Sequence, residues 1–342
     1  MARTAAVVGG GIGGLAAAIG LRAKGWEVAV FERAGAHPTT GTGLGIWPSA
    51  LRALDRLGLG ERARQVGRPQ ASGAIRRPDG SRIAVLDMDR VERKHGEPVY
   101  LLSRPALLGL LSDALPTEVV RFGAHVTADL RDQYDVVIGA DGINSGVRKS
   151  IFGDTYGLRY AGMTAWRGVV DLDTEVGGET WGRGAKFGLT PQDDGRTNWY
   201  AVLAVEEGYK AAPDELEKRF GDWHDPIPKI LADQEDAIRH DLHYLDPPLP
   251  SFVDDNVALL GDAAHAMTPD LGQGACQALI DGVKLAECLG GEGGLRAYDQ
   301  IRRKPTQRIA KMALRASKLS QMRFTPARDA AVKLALFFGP PA

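Results

Sequence analysis

An α/β fold, opening on a β-α-β unit of the dinucleotide-binding kind and carrying a separate stretch of paired strands, is what this 342-residue sequence predicts. Three observations carry the prediction. The chain opens on a strand, a glycine run, a helix and a second strand, TAAVVGGGIGGLAAAIGLRAKGWEVAVFER. Two later apolar strands stop at an acid beside glycine, in residues 134–148 and 257–289. Between them, AKFGLTP and TNWYAVLAV flank the turn Asp193-Asp194-Gly195, the pattern of paired strands rather than of helices. At ~150 residues per domain the length suggests about two domains. A composition of 44% hydrophobic and 25% charged residues excludes a disordered or fibrous chain, and 43 glycines exceed by roughly 19 the number expected at ~7%.

The opening run supplies the first element. Gly9, Gly11 and Gly14 occupy the fixed positions of G-x-G-x-x-G: one for the tight turn, one for close approach of a pyrophosphate, one for packing helix on strand. The helix that follows aims its N-terminal amides at the phosphates. Glu32 closes the second strand, where a carboxylate accepts hydrogen bonds from a ribose, so a cofactor with a free 2′-hydroxyl, FAD or NAD, is expected.

The second element is YDVVIGADGINSGVR, a strand over Asp135 to Ile138 broken at Ala140-Asp141-Gly142; alone, it reads equally well as an ordinary Asp-Gly turn. The third is VALLGDAAHAMTPDLGQGACQALIDGVKLAECL: a strand ends at Gly261-Asp262, and Gly272-Gln273-Gly274 opens a helix running to about Leu289. The positive end of that helix suits an anion or an electron-rich carbonyl. His265 has no second ligand at metal spacing and reads as a packed or hydrogen-bonded loop histidine. Cys276 reads as a small residue filling the first helical turn.

In this order, GGGIGGLAAAI with Glu32, GADGINSGVR and GDAAHAMTPDLGQG resemble the single-component (group A) FAD-dependent aromatic hydroxylases of the p-hydroxybenzoate hydroxylase type. GTGLGIWPSALRALDRLGLGERA and LSRPALLGLL extend the resemblance through about residue 300. Bacterial urate, hydroxynicotinate and hydroxybenzoate hydroxylases are the nearest in style. The resemblance implies a Rossmann-like FAD-binding domain assembled from residues 1–68, 103–153 and 252–300. It further implies an inserted β-sheet substrate domain of residues 69–102 and 154–251, and a C-terminal helical segment, 301–342.

Carried over residue by residue, the resemblance assigns Gly9, Gly11, Gly14, Glu32 and Arg33 to the ADP half of FAD, and Arg104, before a helix starting at Pro105, to the flavin nucleotide. It assigns Asp141, with Arg148 beside it, to FAD and the NAD(P)H pyrophosphate, and Asp262 to the ribityl chain. Pro269, Gly272, Gly274 and Ala275 fall on the loop and helix start beside the flavin ring, and Pro269 and Asp270 are the catalytic candidates. Lys186 and Asn198 fall where relatives place polar substrate contacts, Lys186 as a partner for an anionic or phenolate-like group. Trp199 and Tyr200 point to opposite faces of one strand, so at most one lines the pocket; Trp166 and Arg167 match a family strand without an assigned role. The base that deprotonates a phenol stays open between Asp270, a water chain and the substrate itself. One departure stands out: only TADLRDQY separates Val126 from Asp135, so the hairpin usual there is expected to be missing.

The implied activity is hydroxylation of a small aromatic or heteroaromatic substrate with NADH or NADPH and O2, through a flavin C4a-hydroperoxide. A reductase or dehydrogenase on the same scaffold, and a noncatalytic FAD-binding redox sensor, are the alternatives. No metal is expected. With 42 basic against 43 acidic residues, a general nucleic-acid binder is not expected either. Two cysteines rule out a disulfide framework, and no apolar run approaches ~18 residues. A cytoplasmic monomer or homodimer is the expectation. Residues 302–333 hold ten Lys or Arg and one acid, read as the wet side of packed helices, so membrane association is not expected.

Overall fold

The computed structural model describes residues 2–39, 41–70, 72–126, 130–174, 177–192, 195–212, 214–232 and 237–337. The expected turn residues Asp193 and Asp194, residues 127–129 of the short segment before Asp135, and residues 338–342 lie outside them.

The first layer is a six-stranded sheet. Thr4–Val8 lies at its middle, parallel to Glu27–Glu32 on one side and Val136–Gly139 on the other. Val120–Phe122 and Val257–Leu259 extend it in parallel, and Val253–Asp254 closes one edge antiparallel. These central strands are runs of Val, Ala and Ile buried on both faces, as a sheet covered by helices requires. The helix Ile12–Arg22 packs on it, the helix Gly274–Gly290 packs on that helix, and one continuous core joins their apolar residues to the strands. The described residues between Phe122 and Val136 hold no strand, in keeping with the short segment there.

The second layer is a seven-stranded sheet built from Gly73–Arg76, Arg82–Leu86, Gly157–Val170, Gly178–Trp181, Ala185–Pro191, Thr197–Leu203 and Ile238–Asp246. Its first pair is a hairpin turning at Pro78-Asp79-Gly80: Gly80 takes a left-handed φ of 82° and the Asp79 carboxylate accepts the Ser81 amide at 2.9 Å. Alternation sets its two faces. Trp166, Phe187, Trp199 and Ala201 bury one face under the short helices Glu215–Phe220 and Ile227–Leu231. The intervening residues Arg167, Lys186, Asn198 and Tyr200 therefore occupy the opposite face. A small third sheet joins Gly43–Ile46, Tyr100–Ser103 and Arg68–Pro69, so the boundary drawn at residues 102 and 103 falls inside a strand.

The helix Gly294–Ser320 begins before the expected C-terminal segment and runs from the first layer to the turn Pro269–Leu271. Thr325–Phe337 then packs on the strand Arg82–Leu86.

Candidate active site

The three fingerprint glycines meet different demands. Gly9 has φ 111°, and a Cβ there would sit 2.3 Å from the Ala140 carbonyl oxygen. At Gly14 a Cβ would sit 2.1 Å from the Gly9 oxygen. At Gly11, by contrast, a Cβ would meet nothing within 4 Å, so the space in front of the helix start is open. The helix Ile12–Arg22 carries neither a side-chain cap nor an acid in its first turn, and its N-terminal amides face that space unneutralised. An open cradle lined by free amides fits a pyrophosphate. The Glu32 carboxylate is anchored beside it, accepting the Gly10 amide at 2.7 Å and the Ala34 amide at 2.8 Å. Arg33 is exposed next to it.

Asp141 and Asp262 do different work. The Asp141 carboxylate accepts the Ser145 hydroxyl and, at 3.1 Å, the Val147 amide, so it caps the helix Gly146–Phe152 from the loop that touches Gly9. Arg148, 5% exposed, donates to the carbonyls of Ile143, Asp262 and Ala263 at 2.7, 3.3 and 3.1 Å. It straps the Asp141 loop to the Asp262 loop, and burial lowers its pKa. The Asp262 side chain is solvent-exposed yet crowded by surrounding protein, as on the wall of a recess. That crowding raises its carboxyl pKa, against the pull of His265, Arg104 and Arg148. Arg104 is exposed and makes no carboxylate pair among the described residues.

The third segment folds as a turn, Pro269–Leu271, followed by Gly272 at φ 61° and the helix Gly274–Gly290. No side chain caps this helix and no acid occupies its first turn. A Cβ at Gly272 or Gly274 would meet nothing within 4 Å, and Ala275 is half-buried behind them. The open, positively polarised start suits the electron-rich edge of a ring system. Cys276 is fully buried against the Gly45 carbonyl, which pushes its thiol up to about 11; it is an inert packing residue.

A buried charge network holds this segment in place. Asp281 accepts the Gly261 amide at 2.9 Å, His265 Nε2 at 2.6 Å and Arg302 Nε at 2.6 Å. Arg302 also donates to Gln277 Oε1 at 2.7 Å, and Gln277 donates to Gln273 Oε1 at 3.0 Å. Asp281 thus ties the Asp262 loop, the residue before Gly274 and the C-terminal helix together. Burial alone would raise its pKa, but Arg302, His265 and the Gly261 amide hold it at about 2. Sequence reasoning missed this network; its one visible signal was an acid inside the apolar helical run ALIDGVKL.

On the inner face of the seven-stranded sheet, Arg167, Tyr200, Gly188 and Glu179 are cross-strand neighbours in one row. Gly188 lets the Tyr200 ring lie across it, where a Cβ would be 2.0 Å from Tyr200 Cζ, and the Tyr200 hydroxyl donates to Glu179. Lys186 donates to Asp270 at 2.7 Å and lies 3.6 Å from Glu179. Lys186 and Asp270 are 4% and 3% exposed at their side chains. Burial works against the Lys186 charge, but the Asp270 and Glu179 carboxylates outweigh it and raise its pKa. The positive charge expected to meet a substrate is thus already matched by two carboxylates. Asp270 Oδ2, Asn198 Oδ1 and Thr268 Oγ1 are buried with no hydrogen-bond partner. Burial also lowers the pKa of Arg167. Neither Glu179 nor the pairing of Lys186 with Asp270 was visible in the sequence.

Lys186→Met should leave the buried Asp270 carboxylate without its cation and cost about 3–5 kcal/mol of stability. Chemical denaturation of the flavin-loaded protein measures it; a loss below about 1 kcal/mol would mean that the pair is not desolvated.

The profile of the FAD binding domain family matches residues 2–313. Aurachin C monooxygenase/isomerase of Stigmatella aurantiaca is 36% identical over 317 residues, covering 86% of this chain and 82% of that protein. The 3-amino-4-hydroxybenzoate 2-monooxygenase of Streptomyces cremeus is 33% identical over 340 residues, covering 91% and 86%. Klebsiella pneumoniae HpxO, solved with FAD and uric acid, superposes with a TM-score of 0.87 at 27% identity, covering 98% of this chain and 92% of that one. A match over nearly the whole chain, to proteins whose cofactor fits the open glycine cradle, leads to one assignment: the chain belongs to the FAD binding domain family and is an FAD-dependent monooxygenase of the aromatic hydroxylase type.

Proposed function

We propose that the protein uses NAD(P)H and O2 to hydroxylate a small aromatic or heteroaromatic ring bearing an N–H or O–H group. Bound FAD would supply electron transfer and oxygen activation; the chain supplies position, dryness and electrostatics. Residues 1–68, 103–153 and 252–300 would form the FAD unit, and 69–102 with 154–251 the unit that shapes the substrate pocket. Gly9, Gly11, Gly14, Glu32, Arg33, Arg104, Asp141 and Asp262 would hold the nucleotide and ribityl parts. Gly272, Gly274 and Ala275 would present the helix dipole to the ring, and Pro269 would border the substrate.

The observation that carries the substrate reading is the unpartnered, buried Oδ2 of Asp270. A buried acceptor without a donor is costly, and a substrate N–H or O–H satisfies it. Asp270 would accept that proton: the substrate bond to hydrogen breaks, its electron pair enriches the ring, and a carboxyl O–H forms. Lys186, donating to Oδ1, holds the Asp270 carboxylate oriented for this step. Asn198 would orient the ring through its free Oδ1. The substrates named for relatives, urate and an aminohydroxybenzoate, carry such donors on electron-rich rings.

Turnover of the purified, FAD-loaded protein against a panel of phenols, purines and hydroxylated N-heterocycles in ¹⁸O-labelled O2 tests this. Substrate-stimulated NAD(P)H oxidation with one labelled atom in the product is expected. NAD(P)H oxidation without label in any product would reject it. Asp270→Asn should lower kcat by about 10²–10⁴-fold with FAD retained; a kcat within threefold of the parent would remove Asp270 from proton transfer.

A further inference from the structure

The basic C-terminal stretch is not explained by packing. Arg302, Arg303 and Arg328 are paired, with Asp281, Asp299 and Asp329 respectively. Lys304, Arg308, Lys311, Arg315 and Lys318 are all exposed and make no ion pair among the described residues. Spaced by three and four, they form one stripe along the helix Gly294–Ser320, opposite the buried side marked by Thr306, Ala313, Ser317 and Ser320. Five like charges repel one another, and a solvated helix face gains more from alternating signs. Ten cations and one acid fall in residues 302–333 of a chain whose total balance is 42 against 43, so the positive charge is concentrated here.

The stripe ends in exposed apolar side chains. Met322 is 37% exposed and Phe324, in the turn before the helix Thr325–Phe337, 67%, while Met312, 40% exposed, flanks the middle of the stripe. A Phe left two-thirds in water beside a row of unpaired cations is unfavourable for the isolated molecule and suited to an interface that is anionic outside and apolar inside. A nucleic acid would use the cations but leave Met322 and Phe324 without a partner. The same helix reaches the candidate site, since Ser320 lies 3.5 Å from Asp270 Oδ1.

We propose that this stripe and its Met322–Phe324 tip form a peripheral docking surface for an anionic phospholipid bilayer. The attraction is to anionic headgroups, and the tip enters the interfacial region; among the described residues no helix is long and apolar enough to span. The proposal is independent of the substrate reading above.

Co-sedimentation of the FAD-loaded protein with vesicles tests it without reference to turnover. Binding is expected to phosphatidylcholine vesicles containing phosphatidylglycerol at low salt, to weaken as salt shortens the Debye length, and to be absent with phosphatidylcholine alone. Changing Lys304, Arg308, Lys311, Arg315 and Lys318 together to Gln keeps good helix formers at exposed positions, and should lower vesicle partitioning by at least about 100-fold. Phe324→Ser should weaken binding while leaving its salt dependence unchanged. No sedimentation with anionic vesicles at low salt, equal binding to neutral vesicles, or binding to duplex DNA in place of vesicles would each overturn the proposal. Because unmodified protein supplies these readouts, a variant that failed to fold would not rescue it.

Discussion

Asp281→Ala should destabilise the protein by about 3–5 kcal/mol and loosen its flavin, because it removes the anion that Arg302 and His265 are buried against. The carboxylate is fully buried and bonds to three groups on two other elements, so no rearrangement of one loop replaces it. Loss of the Gly261 amide contact frees the segment that carries Asp262, and loss of the Arg302 contact frees the one that carries Gln277. Thermal unfolding with and without added FAD measures both effects. A melting temperature within 2 °C of the parent would show that the network contributes little. The acid dependence carries the same signature. A carboxyl held at about 2, below its unfolded value of ~3.9, contributes stability that is fully present above the unfolded value and is lost as pH falls through 2. The shift corresponds to about 2 kcal/mol, so the parent should lose stability between pH 4 and 2 more steeply than the variant.

Two alanine substitutions three residues apart should fail in opposite ways. In Gly14→Ala the new Cβ falls 2.1 Å from the Gly9 backbone oxygen, and neither strand nor helix can move away. A loss of more than about 3 kcal/mol is expected, with poor yield of folded protein. In Gly11→Ala the Cβ meets only open space, and the backbone there, at φ −78°, accepts any residue. The apoprotein should melt as the parent does. Its FAD affinity should fall by about 5- to 150-fold, the equivalent of 1–3 kcal/mol of overpacking against the pyrophosphate. Fluorescence titration with FAD and apoprotein melting curves separate the two. If Gly11→Ala bound FAD as tightly as the parent, the pyrophosphate would lie elsewhere.

Much of the nucleotide half was legible because its requirements are local. The spacing of Gly9, Gly11 and Gly14, the apolar strand before them and the acid at Glu32 fall within one continuous run of about thirty residues. The opposed faces of Trp199 and Tyr200 were readable for the same reason. Arg148 was legible as part of a motif but not as an internal strap, since its three acceptors are backbone carbonyls that carry no residue identity. Lys186 was legible as a polar residue on a strand, but its partners Asp270 and Glu179 were not.

By itself the sequence determined the order of strands and helices, the glycine cradle and the unneutralised helix starts, because sterics and helix dipoles act over a few adjacent residues. The tertiary structure decided the charge state of the candidate site. Lys186 meets Asp270 from 84 positions away, and Asp281 meets Arg302 from 21 positions away on the next helix. Buried ion pairs form between whichever side chains the packed layers bring within 3 Å, and no spacing in the chain announces them.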